Sequence, residues 1–215
     1  MAVVLRVNEI FHSIQGESGH AGLPCVFVRL TGCNLRCRWC DTEYAFHEGR
    51  EMPVDDVVAE VDRHGCSLVE VTGGEPLLQE DATTLMTRLL DRGYRVLLET
   101  GGSLPIESVP EGVIRIVDVK CPGSGEVERN RWENLEHLRP TDELKFVIED
   151  RADYEWAMLQ LRDRGLDRRC AVLFSPVDGA LDPGDLAGWV LADGLPVRVQ
   201  VQLHKILWPG VTRGV

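Results

Sequence analysis

Three cysteines, Cys33, Cys37 and Cys40, stand in a C-x3-C-x2-C array. Thiolates are soft ligands that suit iron–sulfur clusters, zinc or Cu(I). Structural zinc favours four protein ligands in paired spacings. No second pair follows here, because Cys25, Cys66, Cys121 and Cys170 stand apart from the array and from one another. Three thiolates leave one iron of a four-iron cube without a protein ligand. S-adenosylmethionine (SAM) can chelate such an iron through its amino and carboxylate groups. One electron from the cluster then breaks the S–C5′ bond and releases a 5′-deoxyadenosyl radical. Trp39, next to Cys40, fits a ring that shields a cluster. A structural zinc site and cysteines that merely pack are the alternative readings.

A second signal is the run Val71-Thr-Gly-Gly-Glu-Pro76. Adjacent Gly73 and Gly74 allow the backbone to approach a ligand closely. A glycine pair alone is usually a turn. Placed one strand after the cysteine loop, it is what a SAM amino-group site needs, and the two motifs in this order are far more specific than either alone.

Residues of this kind need strands and helices to hold them. Runs rich in Val, Leu and Ile at 25–30, 68–71, 94–99, 114–119, 143–148, 171–174 and 197–202 read as strands buried on both faces. Between them, Val54, Val57, Val58 and Val61 repeat at helical spacing after Pro53 and before Gly65. Leu85, Met86, Leu89 and Leu90 mark a second helix that stops at Gly93, and Trp156, Leu159 and Leu161 a third that stops at Gly165. Alternating strands and helices imply a parallel sheet with crossover connections. A complete eightfold barrel takes about 250 residues, whereas this chain has 215. Residues 101–110 are also too rich in Gly and Pro for a full helix. The expected fold is α/β, an incomplete (β/α) barrel of about six parallel strands, with a flavodoxin-like sheet as the rival.

At 44% hydrophobic and 27% charged, the composition is that of one soluble domain with a real core. The formal charge of −12 and the scattered Arg residues argue against a nucleic-acid partner. No apolar run approaches the ~18 residues of a membrane span, so no membrane association is expected. An odd, clustered set of cysteines suggests a cytoplasmic metal protein rather than a secreted disulfide scaffold.

C-x3-C-x2-C followed by Gly-Gly-Glu-Pro resembles the radical SAM superfamily. More narrowly, residues 9–17, 27–33, 39–42, 71–76, 98–101 and 202–205 resemble the 7-carboxy-7-deazaguanine synthase family. The first and last of these pieces discriminate it from other small radical SAM enzymes such as glycyl-radical activases. The resemblance implies a lyase that converts 6-carboxy-5,6,7,8-tetrahydropterin to 7-carboxy-7-deazaguanine with loss of ammonia, in queuosine and 7-deazapurine biosynthesis. It implies hydrogen abstraction at C6 of the pterin, ring contraction, and SAM acting as a regenerated cofactor. It also implies Mg²⁺, a homodimer and an external reductant such as a flavodoxin.

The resemblance further assigns residues. Cys33, Cys37 and Cys40 hold the [4Fe–4S] cluster and Thr42 is the protein ligand to Mg²⁺, with a helix N-cap as the alternative role for Thr42 or Asp41. Ile14, Gln15, Gly16 and Glu17 line the pterin pocket. Arg29, costly in an apolar strand unless paired, takes the substrate carboxylate, with an ion pair to Glu43 or Glu70 as the alternative. Thr72 and His204 also meet substrate. Gly74 and Glu99 meet SAM. Asp118, Val119 and Lys120 stand where the family has Ser-Pro-Lys around the SAM ribose and carboxylate, so Asp118 and Val119 depart from the pattern. Ser175, Pro176, Val177 and Asp178 stand where it has Gln-Pro-Met-Asp near the adenine, so Ser175 departs too. The whole is expected to be one radical SAM domain, 1–215, in which an N-terminal segment (about 8–24) binds substrate and a C-terminal segment (about 197–215) completes the site.

Overall fold

The computed structural model describes residues 3–215; residues 1 and 2 of the expected domain lie outside the described residues. Nine strands make one sheet: β1 (Val4–Ile14), β2 (Pro24–Leu30), β3 (Arg50–Pro53), β4 (Leu68–Gly73), β5 (Arg95–Thr100), β6 (Ile114–Val119), β7 (Glu143–Ile148), β8 (Ala171–Pro176) and β9 (Arg198–Val199). Their order is β3-β1-β2-β4-β5-β6-β7-β8-β9. From β2 to β9 every neighbouring pair is parallel. β1 joins β2 and β3 antiparallel. β3 and β9 each pair on one side only, so the sheet does not close. Six long parallel strands and a two-residue seventh make the expected incomplete barrel.

Helices α1 (Val54–Arg63), α2 (Ala82–Asp91), α3 (Arg151–Arg164) and α4 (Pro183–Asp193) cover the outer face, and a short α5 (Leu203–Leu207) ends the fold. In α1 the four valines of the expected face are all buried. In α3 the apolar face differs from the expected one. Tyr154, Ala157 and Leu161 are buried, at spacings of three and four, and Leu159 is 50% exposed. Trp156 is partly buried and packs against the core as expected, so Leu159 is the residue that departs. The sequence reading also passed over α4, although Asp182 caps it, Pro183 opens it and Gly194 closes it in the left-handed region. It buries only Leu186 and Val190, too few to show a period. Residues 101–110 carry no helix, as their glycines and prolines imply.

The last expected strand, 197–202, shrinks to β9. The chain leaves the sheet edge because its polar side chains find partners elsewhere. Gln200 Nε2 donates to the Ser18 carbonyl at 2.5 Å, and Gln202 Nε2 donates to Glu17 at 2.7 Å. His204 therefore lies on α5 rather than on a strand.

Candidate active site

Alternation along the strands divides their side chains between two faces. Val69, Val71, Val96, Leu98, Val117 and Phe146 belong to the helix-covered outer core. On the opposite parity Cys25, Phe27, Leu68, Leu97 and Ile116 form a second, small apolar cluster within the curve of the sheet. Further along that same parity come Arg29, Glu70, Thr72, Glu99, Asp118 and Lys145, which line a cavity of about 330 Å³. Parallel register sets Arg29 beside Thr72 and Asp118 beside Lys145. The cavity thus opens at the carboxyl ends of the strands, where barrel sites are built.

The cysteine loop borders this cavity. Cys33, Cys37 and Cys40 all line it and are all half-buried. The loop backbone is fixed independently of any ligand. Gly32 N donates to the Ala45 carbonyl at 2.8 Å, Glu75 N to the Gly32 carbonyl at 2.7 Å, and Arg38 N to the Ser124 carbonyl at 3.0 Å. Burial pushes all three thiols above their ordinary range. Coordination would offset this by stabilising the thiolates. Among the described residues no three His, Cys, Asp or Glu side chains converge as a single metal ion needs. Three thiols that face one cavity suit the three-cysteine ligation of an iron–sulfur cube.

Gly74 shows why the glycine pair follows the cysteine loop. A Cβ there would lie 2.2 Å from the Gly32 carbonyl oxygen and 2.8 Å from Cys33 Cβ. The two loops touch backbone to backbone. Glu75, fully buried, accepts from Leu77 N at 3.0 Å, Thr100 Oγ1 at 2.9 Å and Gly101 N at 2.8 Å. It ties the end of β4 to the end of β5. One oxygen of Asp118 is buried and has no hydrogen-bond partner, while the other accepts from Lys120 Nζ at 2.9 Å. That orphaned acceptor, on a residue that lines the cavity together with Gly74 and Glu99, fits a ligand carrying hydroxyl groups, as the ribose of SAM does.

Charges crowd the floor. Lys145 Nζ lies 2.5 Å from Glu17 Oε2, bonds Glu99, and lies 3.9 Å from Asp118. Burial alone would lower the Lys145 pKa, but Glu17 and Glu99 outweigh it and hold the ammonium charged. Burial alone would raise Glu17, and Lys145 outweighs it in turn. Arg29 Nε donates to Glu9 at 2.8 Å, and Tyr44 donates to the same oxygen at 2.8 Å. Arg29 therefore makes the ion pair of the alternative reading, with Glu9 in place of Glu43 or Glu70. Its two terminal nitrogens have no hydrogen-bond partner among the described residues.

Glu70 accepts from the side chain of Gln15. Burial, reinforced by Glu99, pushes its carboxyl well above the ordinary range. The folded chain then keeps a proton that the unfolded chain has released, so stability falls as pH rises above 4.5 towards the folded value. Glu70→Gln removes that penalty. The expected result is a Tm a few degrees higher at neutral pH and a flatter dependence of Tm on pH above 4.5. A Tm that falls at neutral pH would mean that Glu70 is ionised in the fold.

A model of the radical SAM superfamily matches residues 27–118. A 7-carboxy-7-deazaguanine synthase of Koribacter versatilis is 51% identical over 226 residues, covering 98% of this chain and 100% of that protein. The chain belongs to the 7-carboxy-7-deazaguanine synthase family. A second such synthase, of Chlorobaculum tepidum, is 48% identical over 214 residues, covering 98% of this chain and 97% of its own. The crystal structure of QueE from Escherichia coli shares the fold, with a TM-score of 0.78 at 23% identity over 94% of this chain and 95% of that one. Membership in the radical SAM superfamily brings a [4Fe–4S] cluster and SAM as cofactors.

The residues that the synthase family's pattern assigns gather largely in one place. Ile14, Gln15, Gly16, Glu17, Arg29, Thr42, Thr72, Gly74, Glu99, Asp118, Lys120, Val177, Asp178 and His204 line the same cavity as the three cysteines. The two discriminating ends meet there. Leu203 N donates to the Gly16 carbonyl at 3.0 Å, and a Cβ on Gly16 would lie 2.4 Å from His204 Nδ1. Thr42 stands at the N-cap of the short helical turn Glu43–Phe46 but makes no capping bond; its hydroxyl donates to Asp41 Oδ1 at 2.7 Å.

Three expected cofactor contacts are not lining residues. Val119 has the parity of the outer core and is buried there. Pro176 shares the parity of Phe174, away from the cavity. Ser175 has the inward parity but is buried and does not line the cavity, its hydroxyl without a partner. The sequence reading missed Lys145 and gave Glu70 no role at the site. A lone cation or acid inside an apolar strand was the available signal, the same one that singled out Arg29.

Proposed function

We propose that the cavity takes 6-carboxy-5,6,7,8-tetrahydropterin between residues 14–17, Arg29, Thr72 and His204, and SAM between Gly74, Glu99, Asp118 and Lys120. The chain is a radical SAM lyase that forms 7-carboxy-7-deazaguanine with loss of ammonia, a step of queuosine and 7-deazapurine biosynthesis. The observation that carries this reading is the convergence of both ends of the chain and the cysteine loop on one cavity.

When bound, the cluster and SAM would supply the radical chemistry. The chain's own residues do the rest. The free guanidinium nitrogens of Arg29 form a fork for the pterin carboxylate. Backbone groups of residues 14–16, fixed by Glu17 and α5, read the edge of the pterin ring. Glu99 faces the SAM amino group, and Asp118 offers its unpartnered oxygen to the ribose. Val177 and Asp178 border the adenine through backbone groups. Val119, Ser175 and Pro176 act at most by shaping the strands beneath.

Thr42 is the protein ligand to Mg²⁺ in this reading. One hydroxyl is a weak site for an ion that prefers an oxygen-rich octahedron, so substrate oxygens and water complete the shell. The single domain is organised as a substrate-binding segment at about 8–24, a barrel, and a completing segment at about 197–215. It works as a homodimer in the cytoplasm with an external reductant such as a flavodoxin. Among the described residues no helix is long and apolar enough to cross a membrane.

Anaerobic assay of the reconstituted protein with SAM, reductant and the carboxypterin tests the reading. Formation of 7-carboxy-7-deazaguanine with ammonia is expected, and its absence from protein with an intact cluster would exclude it. Arg29→Ala is expected to raise the KM for the pterin about 100-fold and to leave iron content unchanged. Cluster loss in that variant would contradict the carboxylate role.

A further inference from the structure

Lys145 is 4% exposed and sits in mid-strand on β7, between apolar Leu144 and Phe146. A buried ammonium is costly unless it is paired and hydrogen-bonded. Packing alone gives no reason for it, since a Met or Leu would fill the same floor. What Lys145 does is join parts of the chain that are far apart in sequence. Its partner Glu17 lies 128 positions away, just beyond β1, and Glu99 lies 46 positions away at the end of β5. Glu17 in turn accepts from Gln202 of the C-terminal segment at 2.7 Å. Thr72 donates to the second oxygen of Glu99 at 3.4 Å.

The floor is also unbalanced in charge. Glu17, Glu99 and Asp118 face Lys145 and Lys120, which leaves one negative charge for a cationic ligand to meet. Lys120 is committed to Asp118. Lys145 alone bridges the carboxylate beside the pterin-facing segment and the carboxylate facing SAM.

We propose that Lys145 is a positioning residue that anchors the pterin-facing segment 14–17 through Glu17, so that its loss weakens substrate recognition without weakening SAM binding. The inference rests on the ligand placement given above. Without the ammonium, Glu17 is left as a buried carboxylate with no cation, and the segment that carries it must shift to water or take up a proton. Glu99 is affected in the opposite sense. It loses a competitor for the SAM ammonium and holds that cation alone. The two affinities therefore separate, which a general loosening of the fold would not produce.

The test uses anaerobically reconstituted full-length protein with Met or Gln at position 145. Iron and sulfide content, SAM affinity by equilibrium dialysis without substrate, and KM and kcat for the carboxypterin are measured against wild type. For Lys145→Met the expected result is unchanged cluster content, SAM affinity equal to or tighter than wild type, and a KM raised at least tenfold. Lys145→Gln keeps a donor without the charge and is expected to show the same split, which carries the test should the Met variant not fold. An unchanged KM, or SAM and substrate affinities that fall together, would overturn the proposal. Wild-type turnover is the control. Its absence would remove the deazaguanine reading itself, whereas turnover with no split would remove only the role of Lys145.

Discussion

Cys37→Ala is expected to reduce deazaguanine formation to the limit of detection while leaving the chain folded. The thiol is half-buried and donates no hydrogen bond among the described residues. The loop that carries it is held by backbone bonds at Gly32, Arg38 and Glu75, none of which needs the sulfur. Alanine therefore removes a proposed cluster ligand without removing a hydrogen bond of the loop. A cube held by two thiolates also loses the geometry that leaves a single iron open. Iron and sulfide analysis, the visible absorption of the cluster and thermal unfolding of the apoprotein measure the two halves of this prediction. Turnover at wild-type levels, or a collapse of apoprotein stability, would contradict it.

The second large effect lies away from the cavity. Asp142 is buried and receives Arg115 N and Nε at 3.0 Å each, Arg115 Nη2 at 2.5 Å and Arg139 N at 2.8 Å. Burial alone would raise its pKa, but the Arg115 hydrogen bonds outweigh it and hold the carboxyl below the usual range. Arg115 is itself buried in β6, so Asp142→Ala strands a guanidinium in the interior. Breaking a buried pair from one side costs about 3–5 kcal/mol. In a chain of this size that lowers Tm by about 10 °C. The sign with pH follows from the depressed value. The contribution of Asp142 is fully present above the unfolded carboxylate pKa of about 3.9 and is lost as pH falls through the lower folded value. Denaturant titrations of wild type and Asp142→Ala are therefore expected to differ most near neutral pH and to converge in acid. A constant gap down to strongly acid pH would mean that the ionised carboxylate is not what stabilises Arg115.

The parts of the site that were legible in the sequence share one property: their chemistry is local. Cys33, Cys37 and Cys40 announce themselves by spacing, and Gly73 and Gly74 by adjacency. Arg29 stands out as a charge in an apolar run. The strands 114–119 and 143–148 were read to the residue because strands buried on both faces carry a continuous apolar signal. That same double burial hides which face is inside. Nothing in the run from Glu143 to Ile148 shows that Lys145, rather than Phe146, faces the cavity, and nothing local shows that Val119 turns away from it while Asp118 turns in. The curvature of the sheet decides both. Lys145 also stayed without a role because its partners come from distant parts of the chain, Glu17 just beyond β1 and Glu99 on β5. β1 was obscure for another reason. It lies near the antiparallel edge of the sheet and half its residues are only partly buried, so its pattern of apolar residues is weak. At the other end, Gln200 and Gln202 read as strand residues but are drawn off the sheet by Ser18 and Glu17.

The central claim is that three thiolates leave one iron for SAM. The most direct measurement is the electron paramagnetic resonance spectrum of the reduced, anaerobically reconstituted protein before and after SAM is added, with metal analysis of the same sample. About four irons per chain and a spectrum that shifts on SAM addition are predicted. Zinc at full occupancy, or a cluster whose spectrum is indifferent to SAM, would contradict the account.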